Sequence, residues 1–155
     1  MKFSAKEDLN MPIADAFTAI TDFEGFERSA MRRGADVARI DTGPIQVGSG
    51  WEVAFRFRGK RRDVKAIVTE IDPASGFTVE SASDGLDALV VADLVSLSPS
   101  KTRLVFSIEL TPKSLTARLL VQSLKLAKSN LQKRFKQRVS EYARDMEERR
   151  NGSVS

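Results

Sequence analysis

The clearest strand pattern in this chain is WEVAFRFR, residues 51–58, in which apolar residues alternate with charged or small ones. Successive side chains of a β-strand point to opposite faces of the sheet, so this alternation predicts a strand with one apolar and one solvated face. The apolar face would carry Trp51, Val53, Phe55 and Phe57. A single strand cannot bury that face by itself, so partner strands are expected on either side of it.

Short turn signals divide the neighbouring sequence into further strands. GKRR at residues 59–62 predicts a turn, and DPASG at 72–76 and SPSK at 98–101 predict two more. Strands joined by such short connections pair as antiparallel neighbours. We therefore predict a six-stranded antiparallel meander over residues 35–111, preceded by a separate strand at residues 2–9.

The helical parts of the sequence lie before and after the meander. Apolar spacing predicts two short helices at about residues 12–20 and 26–33. One long helix is predicted over residues 115–148, with Ser114 as its N-cap. Its apolar stripe is formed by Leu124, Ala127, Leu131, Phe135, Val139, Tyr142 and Met146. This helix is therefore amphipathic and should bury the stripe against the sheet.

The residue composition limits the chemistry open to this protein. The chain has 155 residues without cysteine or histidine, which removes disulfides, the commonest zinc ligands, the cysteine nucleophile and the usual base near neutral pH. No Asp and Glu cluster has the spacing of a magnesium or calcium loop. We therefore predict no metal site and no cofactor, and we assign no catalytic residue.

Length and polarity predict the organisation of the chain and its location. Residues 1–150 are expected to form a single domain, and residues 151–155 a flexible tail. Residues 1–9 lack the apolar core of a signal peptide, and no apolar stretch is long enough to span a bilayer. We therefore expect a cytoplasmic protein without a transmembrane segment.

Several short sequence motifs resemble those of a known superfamily. They are PIADAF at residues 12–17, ITDFE at 20–24, GSGW at 48–51 and IDP at 71–73. Together with the order of the elements, they resemble the helix-grip superfamily of SRPBCC proteins, which includes START-related lipid-transfer domains, polyketide cyclases and aromatases, and plant pathogenesis-related allergens. The resemblance covers almost the whole chain. It implies an α+β fold in which a curved antiparallel sheet of about seven strands surrounds the long C-terminal helix.

The resemblance also implies an apolar cavity between the sheet and that helix, suited to a lipid, a quinone or a polyketide-like molecule. The candidate ligand-binding residues are Trp51, Val53, Phe55 and Phe57 on the sheet, Leu124, Leu131 and Phe135 on the helix, and Phe26 and Met31 on a covering short helix. The glycine-rich loop at residues 42–50 is a candidate gate. The alternative is that these side chains pack together as solid core and leave no cavity.

Two functions follow from a cavity of this kind. The leading hypothesis is a non-enzymatic protein that binds or transports a hydrophobic small molecule, because no nucleophile elbow, phosphate loop or dinucleotide motif is present. The second hypothesis is an enzyme similar to a polyketide cyclase or aromatase. Such an enzyme acts largely by holding a reactive substrate in the right shape, so the residue types do not exclude it.

A third hypothesis is an interaction module that uses the basic C-terminal helix. Residues 113–150 contain eleven Lys and Arg but only four Asp and Glu. This face is suited to RNA, the ribosome or an anionic membrane, although a solvated helix face is the plainer interpretation. Leu119 and Leu126 fall on the basic side, so the first half of the helix is either enclosed or in contact with a partner. A second basic cluster, at residues 56–62, predicts either an anion site or an exposed strand edge.

Overall fold

Seven antiparallel strands and four helices make up the part of the chain that the structure describes. The structure is a computed structural model, and it describes the backbone of residues 1–154 and the side chains of residues 1–152. In chain order the elements are β1 (Lys2–Leu9), α1 (Ile13–Ile20), α2 (Phe23–Arg32), β2 (Asp36–Arg39), β3 (Gly50–Phe57), β4 (Lys60–Asp72), β5 (Gly76–Ser83), β6 (Leu86–Ser98), β7 (Lys101–Pro112), α3 (Leu115–Leu126) and α4 (Lys128–Val154). The strands form one curved sheet in the order β1-β7-β6-β5-β4-β3-β2. The predicted α+β class and antiparallel meander are confirmed.

The strand order explains the path of the two short helices. β1 pairs with β7, the last strand, whereas β2 lies at the opposite edge of the sheet. The chain must therefore cross the sheet between β1 and β2, and α1 and α2 make that crossing. α2 begins at Phe23, three residues earlier than predicted, because the Asp22 side chain accepts a hydrogen bond from the Gly25 N–H and caps the helix there.

The C-terminal part forms two helices, and the prediction of one continuous helix is wrong. Ala127 separates α3 from α4 with a φ of −107° and a ψ of 15°. Residues 113–150 contain no glycine or proline, so no local signal marks the break. The break lets α3 pack against β7 while α4 packs against β1. Residues 151–154 of the predicted tail continue α4, and Ser155 lies outside the described residues.

The core lies between the concave face of the sheet and the helices that cross it. Leu104 and Val68 on the sheet and Ile20 on α1 are fully buried. α4 adds Val139 and Met146, which belong to the predicted apolar stripe and are also buried. Burying side chains of this kind contributes about 1.5–3 kcal/mol each. The part of the concave face around these residues is therefore solid core.

A polar network anchors the loop between β2 and β3, the segment predicted to gate a cavity. The Asp41 carboxylate accepts two hydrogen bonds from the Arg39 guanidinium, at 3.1 and 3.0 Å. It also accepts hydrogen bonds from the Gly50 N–H and from the buried Ser49 hydroxyl, each at 3.0 Å. These bonds, with that from Arg39 the most important, lower the pKa of Asp41 from 3.8 to about 2. The end of the loop that leads into β3 is therefore held in place.

Replacing Asp41 with asparagine is expected to remove a stabilising effect that depends on pH. Because the folded pKa lies below the unfolded one, the carboxylate stabilises the fold fully well above pH 3.8, and this stabilisation is lost as the pH falls toward 2. Near neutral pH the free energy of unfolding should therefore be larger for the wild type than for Asp41→Asn. The difference between the two proteins should become smaller as the pH is lowered. Urea denaturation of both proteins at neutral pH and near pH 2 measures this difference. A difference that does not depend on pH would contradict the prediction.

Candidate functional site

A cavity of about 230 Å³, the α2 cavity, lies between α2 and the middle of the concave face. Phe26 and Ala30 of α2 line one side of it, and the sheet contributes Trp51, Val53, Ala66, Val79, Val90 and Phe106. Inward-facing side chains of five neighbouring strands, from β3 to β7, meet here because alternate residues of each strand share a face. The walls are almost wholly apolar. The small side chain of Ala66 leaves space that a larger residue would fill.

Among the residues that the structure describes, Glu27 is the one ionisable residue that lines the α2 cavity. Its Oε1 accepts a hydrogen bond from the Trp51 indole N–H at 2.6 Å. Phe23, in the first turn of α2, packs on the same indole with ring centroids 5.3 Å apart. One charge-assisted hydrogen bond and one aromatic contact therefore hold α2 to β3 and set the distance between helix and sheet.

A second cavity of about 290 Å³, the α3 cavity, lies between α3 and the far end of the concave face. Ala117, Leu120 and Leu124 of α3 form its roof, and its apolar floor is formed by Phe55, Phe57, Val64, Leu86 and Leu110. The charged side chains that line it are Lys60, Arg62 and Asp84. Two cations and one carboxylate give the lining of the α3 cavity a net positive charge.

Arg62 faces inward because of the pairing between β3 and β4. It lies directly opposite Phe55, and side chains of directly opposed residues share one face of the sheet. The Arg62 Nε is buried and has no hydrogen-bond partner among the described residues. A buried donor without a partner costs about 1–3 kcal/mol, and an arginine N–H pairs best with carboxylate or phosphate oxygen. The Arg62 side chain therefore lines the α3 cavity with one donor still unsatisfied.

One row of paired residues across the sheet connects the two cavities. In spatial order the row is Trp51, Ala66, Ser81, Ala88 and Leu110. Its first two members line the α2 cavity and its last lines the α3 cavity. The two between them are small. The two cavities are therefore neighbours on the concave face, where Val53 of the α2 cavity also lies directly opposite Val64 of the α3 cavity, and together they are called the groove.

Six of the nine predicted ligand-binding residues line this groove. Phe26, Trp51 and Val53 belong to the α2 cavity, whereas Phe55, Phe57 and Leu124 belong to the α3 cavity. These side chains surround space, in contrast to the solid packing at the other end of the concave face. That they bind a ligand stays a prediction.

Phe135, Leu131 and Met31 line neither cavity. Phe135 packs behind the wall of the α2 cavity, with its ring centroid 6.1 Å from that of Phe106. Leu131 is half-buried near the start of α4, the helix that packs along β1. Met31 is 49% exposed. It lies on a different side of α2 from Phe26, which lines the cavity.

Sequence reasoning missed Arg62 and Glu27 as residues of the groove. It predicted a turn at residues 59–62, whereas the two turn residues are Arg58 and Gly59, both with positive φ. Two residues with positive φ form the tight turn that suits the twist of a β-hairpin. Counting alternate residues through that short turn places Arg62 inward. Glu27 lies within the predicted helix at residues 26–33, but it was missed because only apolar side chains of that helix were assigned to the cavity.

Clustered acidic side chains are the usual sign of a site for a hard metal ion. The described residues contain no group of three or more potential metal ligands. Within residues 1–154, no helix combines the length and the apolar character that crossing a membrane requires.

Comparison with known proteins finds likeness in structure. No family model matches the sequence, and no curated protein does. The chain is similar to a norcoclaurine synthase mutant from Thalictrum flavum, with a TM-score of 0.68 and 12% identity over 97% of this chain and 96% of that chain. It is similar to the Zhui aromatase/cyclase from Streptomyces sp. R1128, with a TM-score of 0.67 and 11% identity over 96% and 94% of the two chains. It is also similar to TTHA0849 from Thermus thermophilus, with a TM-score of 0.65 and 13% identity over 100% of both chains.

These similarities include the sheet, the two short helices and the C-terminal helices, because each covers at least 94% of both chains. At such low identity the likeness concerns the fold alone, and one fold serves many functions. The chain therefore has a helix-grip fold, the fold implied by the resemblance of its sequence to SRPBCC, or START-like, proteins.

Proposed function

We propose that this protein binds a hydrophobic small molecule with an acidic group, in the groove formed by the α2 and α3 cavities. The observation that carries the proposal is the combination of apolar walls with the buried, unpartnered Nε of Arg62 in one groove of the described structure. An acidic lipid or an acidic polyketide-like molecule has this chemistry. Its apolar body would lie along the sheet and its acidic group beside Arg62.

The size of the groove supports a small ligand. The two cavities have volumes of about 230 and 290 Å³, whereas ligand pockets commonly have about 300–1,000 Å³. Each cavity is slightly below that range, and the sum of their volumes falls within it. Each CH₂ group moved from water into apolar surroundings contributes about 0.8 kcal/mol. A chain or ring system that spans both cavities therefore gains more than one confined to either.

The geometry favours binding over a cyclase-like reaction. Glu27 is the one candidate acid or base in the α2 cavity, and its Oε1 already accepts the Trp51 N–H. A norcoclaurine synthase from Thalictrum flavum, of similar fold with a TM-score of 0.61 and 13% identity, has been seen in complex with dopamine and hydroxybenzaldehyde. That complex supports the proposal of a small molecule bound in the groove of this protein.

Replacing Arg62 with leucine is expected to weaken decanoate binding at least tenfold, or about 1.4 kcal/mol. Decanoate combines an apolar chain with a carboxylate that the Arg62 N–H groups can donate to. Decanol has the same chain without the charge, so its affinity for Arg62→Leu should stay within about twofold of the wild-type value. Isothermal titration calorimetry with both probes measures the difference.

Arg61→Leu is the matched control for this experiment. Arg61 is the next residue of β4, so its side chain lies on the convex face, where its exposed guanidinium is 3.4 Å from the Asp63 carboxylate. The same substitution there should leave decanoate affinity unchanged. Wild-type protein that binds neither probe would refute a hydrophobic ligand in this groove. Equal losses for decanoate and decanol would show that Arg62 supports the wall and does not recognise an acidic group.

A further inference from the structure

Three leucines on the outer side of α3 are exposed to solvent. Leu115 is 74% exposed, Leu119 59% and Leu126 92%. At about 100° per residue, their spacing puts them within about 40° of one another around the helix. They form a leucine stripe on the side opposite the buried Ala117 and Leu124. α3 is therefore apolar on two sides, although the sheet covers only one of them.

The chain around the leucine stripe is strongly basic. Residues 110–140 contain eight Lys and Arg and no Asp or Glu. Arg118 and Lys125 are exposed on one side of the stripe, about 80–100° around the helix from its centre. On the other side, the Ser123 hydroxyl accepts a hydrogen bond from the guanidinium of Arg58 in the β3–β4 turn. Cations therefore border the stripe on both sides.

We propose that the leucine stripe docks on the surface of an anionic lipid bilayer. An apolar helix side bordered by Lys and Arg is typical of helices that lie in the plane of the membrane interface. The leucines would enter the outer acyl region while Arg118, Lys125 and Arg58 reach lipid phosphates. α3 has 12 residues and a length of roughly 18 Å, so it lies along a bilayer and does not cross it.

The charge and the side-chain chemistry favour a bilayer over two other partners. A symmetric contact between two copies of this chain would bring the same cations face to face. A nucleic acid would neutralise the cations but leave the leucines in water, and α3 contains no aromatic residue for base stacking. An anionic bilayer satisfies the leucines and the cations together.

Docking would place the groove beside the bilayer. The roof of the α3 cavity is formed by Ala117, Leu120 and Leu124, on the opposite side of the same helix. A hydrophobic ligand would then have a short path between membrane and groove. The docking itself needs no ligand, so its test is independent of the proposed ligand binding.

The experiment is cosedimentation of the full chain with vesicles, in the absence of any added ligand. The two vesicle types are pure phosphatidylcholine and a mixture of phosphatidylcholine with phosphatidylglycerol. Wild-type protein should bind the anionic vesicles at least tenfold more tightly than the neutral ones, and its affinity should fall steeply as salt is raised. Both the Leu119→Ser, Leu126→Ser double variant and the Arg118→Glu, Lys125→Glu double variant should lose at least tenfold in affinity.

Leu89→Ser with Leu97→Ser is the matched control. These leucines are also exposed, but Leu89 lies on the convex face of β6 and Leu97 near the end of that strand, outside α3. The control pair should bind anionic vesicles within about twofold of wild type. All the substituted side chains are exposed, so circular dichroism should show wild-type folding in every variant.

Three outcomes would overturn the proposal. The first is wild-type protein that does not bind anionic vesicles. The second is full retention of vesicle binding by the Leu119→Ser, Leu126→Ser variant. Such binding would depend on charge alone, which a single-stranded RNA would also satisfy. The third is a dimer in analytical ultracentrifugation that the leucine variant abolishes, because the stripe would then be an interface between copies of this chain.

Discussion

Replacing Ala66 with phenylalanine is expected to weaken decanoate binding at least tenfold, or about 1.4 kcal/mol. Ala66 lies on the inward face of β4, directly opposite Trp51 in β3, and lines the α2 cavity. A phenyl ring at this position would point into a space of about 230 Å³ and occupy much of it. Because the ring enters a cavity and not a packed core, the free energy of unfolding should stay close to the wild-type value. Calorimetric titration with decanoate and urea denaturation measure the two quantities.

Ala82→Phe is the matched control for Ala66→Phe. Ala82 lies on β5 opposite Lys65 of β4, exposed on the convex face of the sheet. The same ring added there lies outside the groove, so decanoate affinity should not change. If folded Ala66→Phe binds decanoate as tightly as wild type, the α2 cavity is not part of the ligand site. A loss in Arg62→Leu alone would then confine the ligand to the α3 cavity.

Replacing Gly76 with alanine is expected to destabilise the fold by about 3 kcal/mol or more. Gly76 has a φ of +114°, a backbone conformation that L-residues with a side chain rarely adopt. A Cβ atom there would lie 1.9 Å from the carbonyl oxygen of Ala92 in the paired strand. Both groups are backbone, so no side-chain rotation can relieve the clash, and the start of β5 must move away from β6. Urea denaturation measures the loss of stability.

Gly59→Ala separates the effect of the clash from that of the backbone conformation. Gly59 also has a positive φ, of +75°, but a Cβ atom added there would meet no heavy atom within 4 Å beyond its chain neighbours. Its substitution should therefore cost only the conformational strain, about 1–2 kcal/mol. Equal losses of stability in the two variants would contradict the clash at Gly76.

The strands of the meander follow from local patterns in the sequence. Alternation from Trp51 to Phe57 is a property of neighbouring residues, and it correctly identifies which side chains share a face. Short turns such as the one at residues 72–76 leave antiparallel pairing as the only option for the strands they join. The pairing of β1 with β7 has no such local signal, because about a hundred residues separate the two strands. This pairing was not predicted.

The break at Ala127 could not be predicted from residue types. Residues 113–150 contain no helix-breaking residue, and the apolar stripe continues through the break. α3 packs against β7, whereas α4 packs along β1. Leu131 and Phe135 lie on α4 and line neither cavity, and Leu126 lies on the outer side of α3, exposed to solvent.

By itself the sequence determined the order of the strands and the inward face of β3, since both depend on residues close together in the chain. Tertiary structure alone decided where the inward face encloses space. Ala66 and Arg62 border cavities because side chains from elements far apart in the chain meet there without filling the space between them. The volume left between elements depends on how those elements pack. The exposure of Leu119 and Leu126 was settled in the same way, because only packing shows which side of an apolar helix remains uncovered.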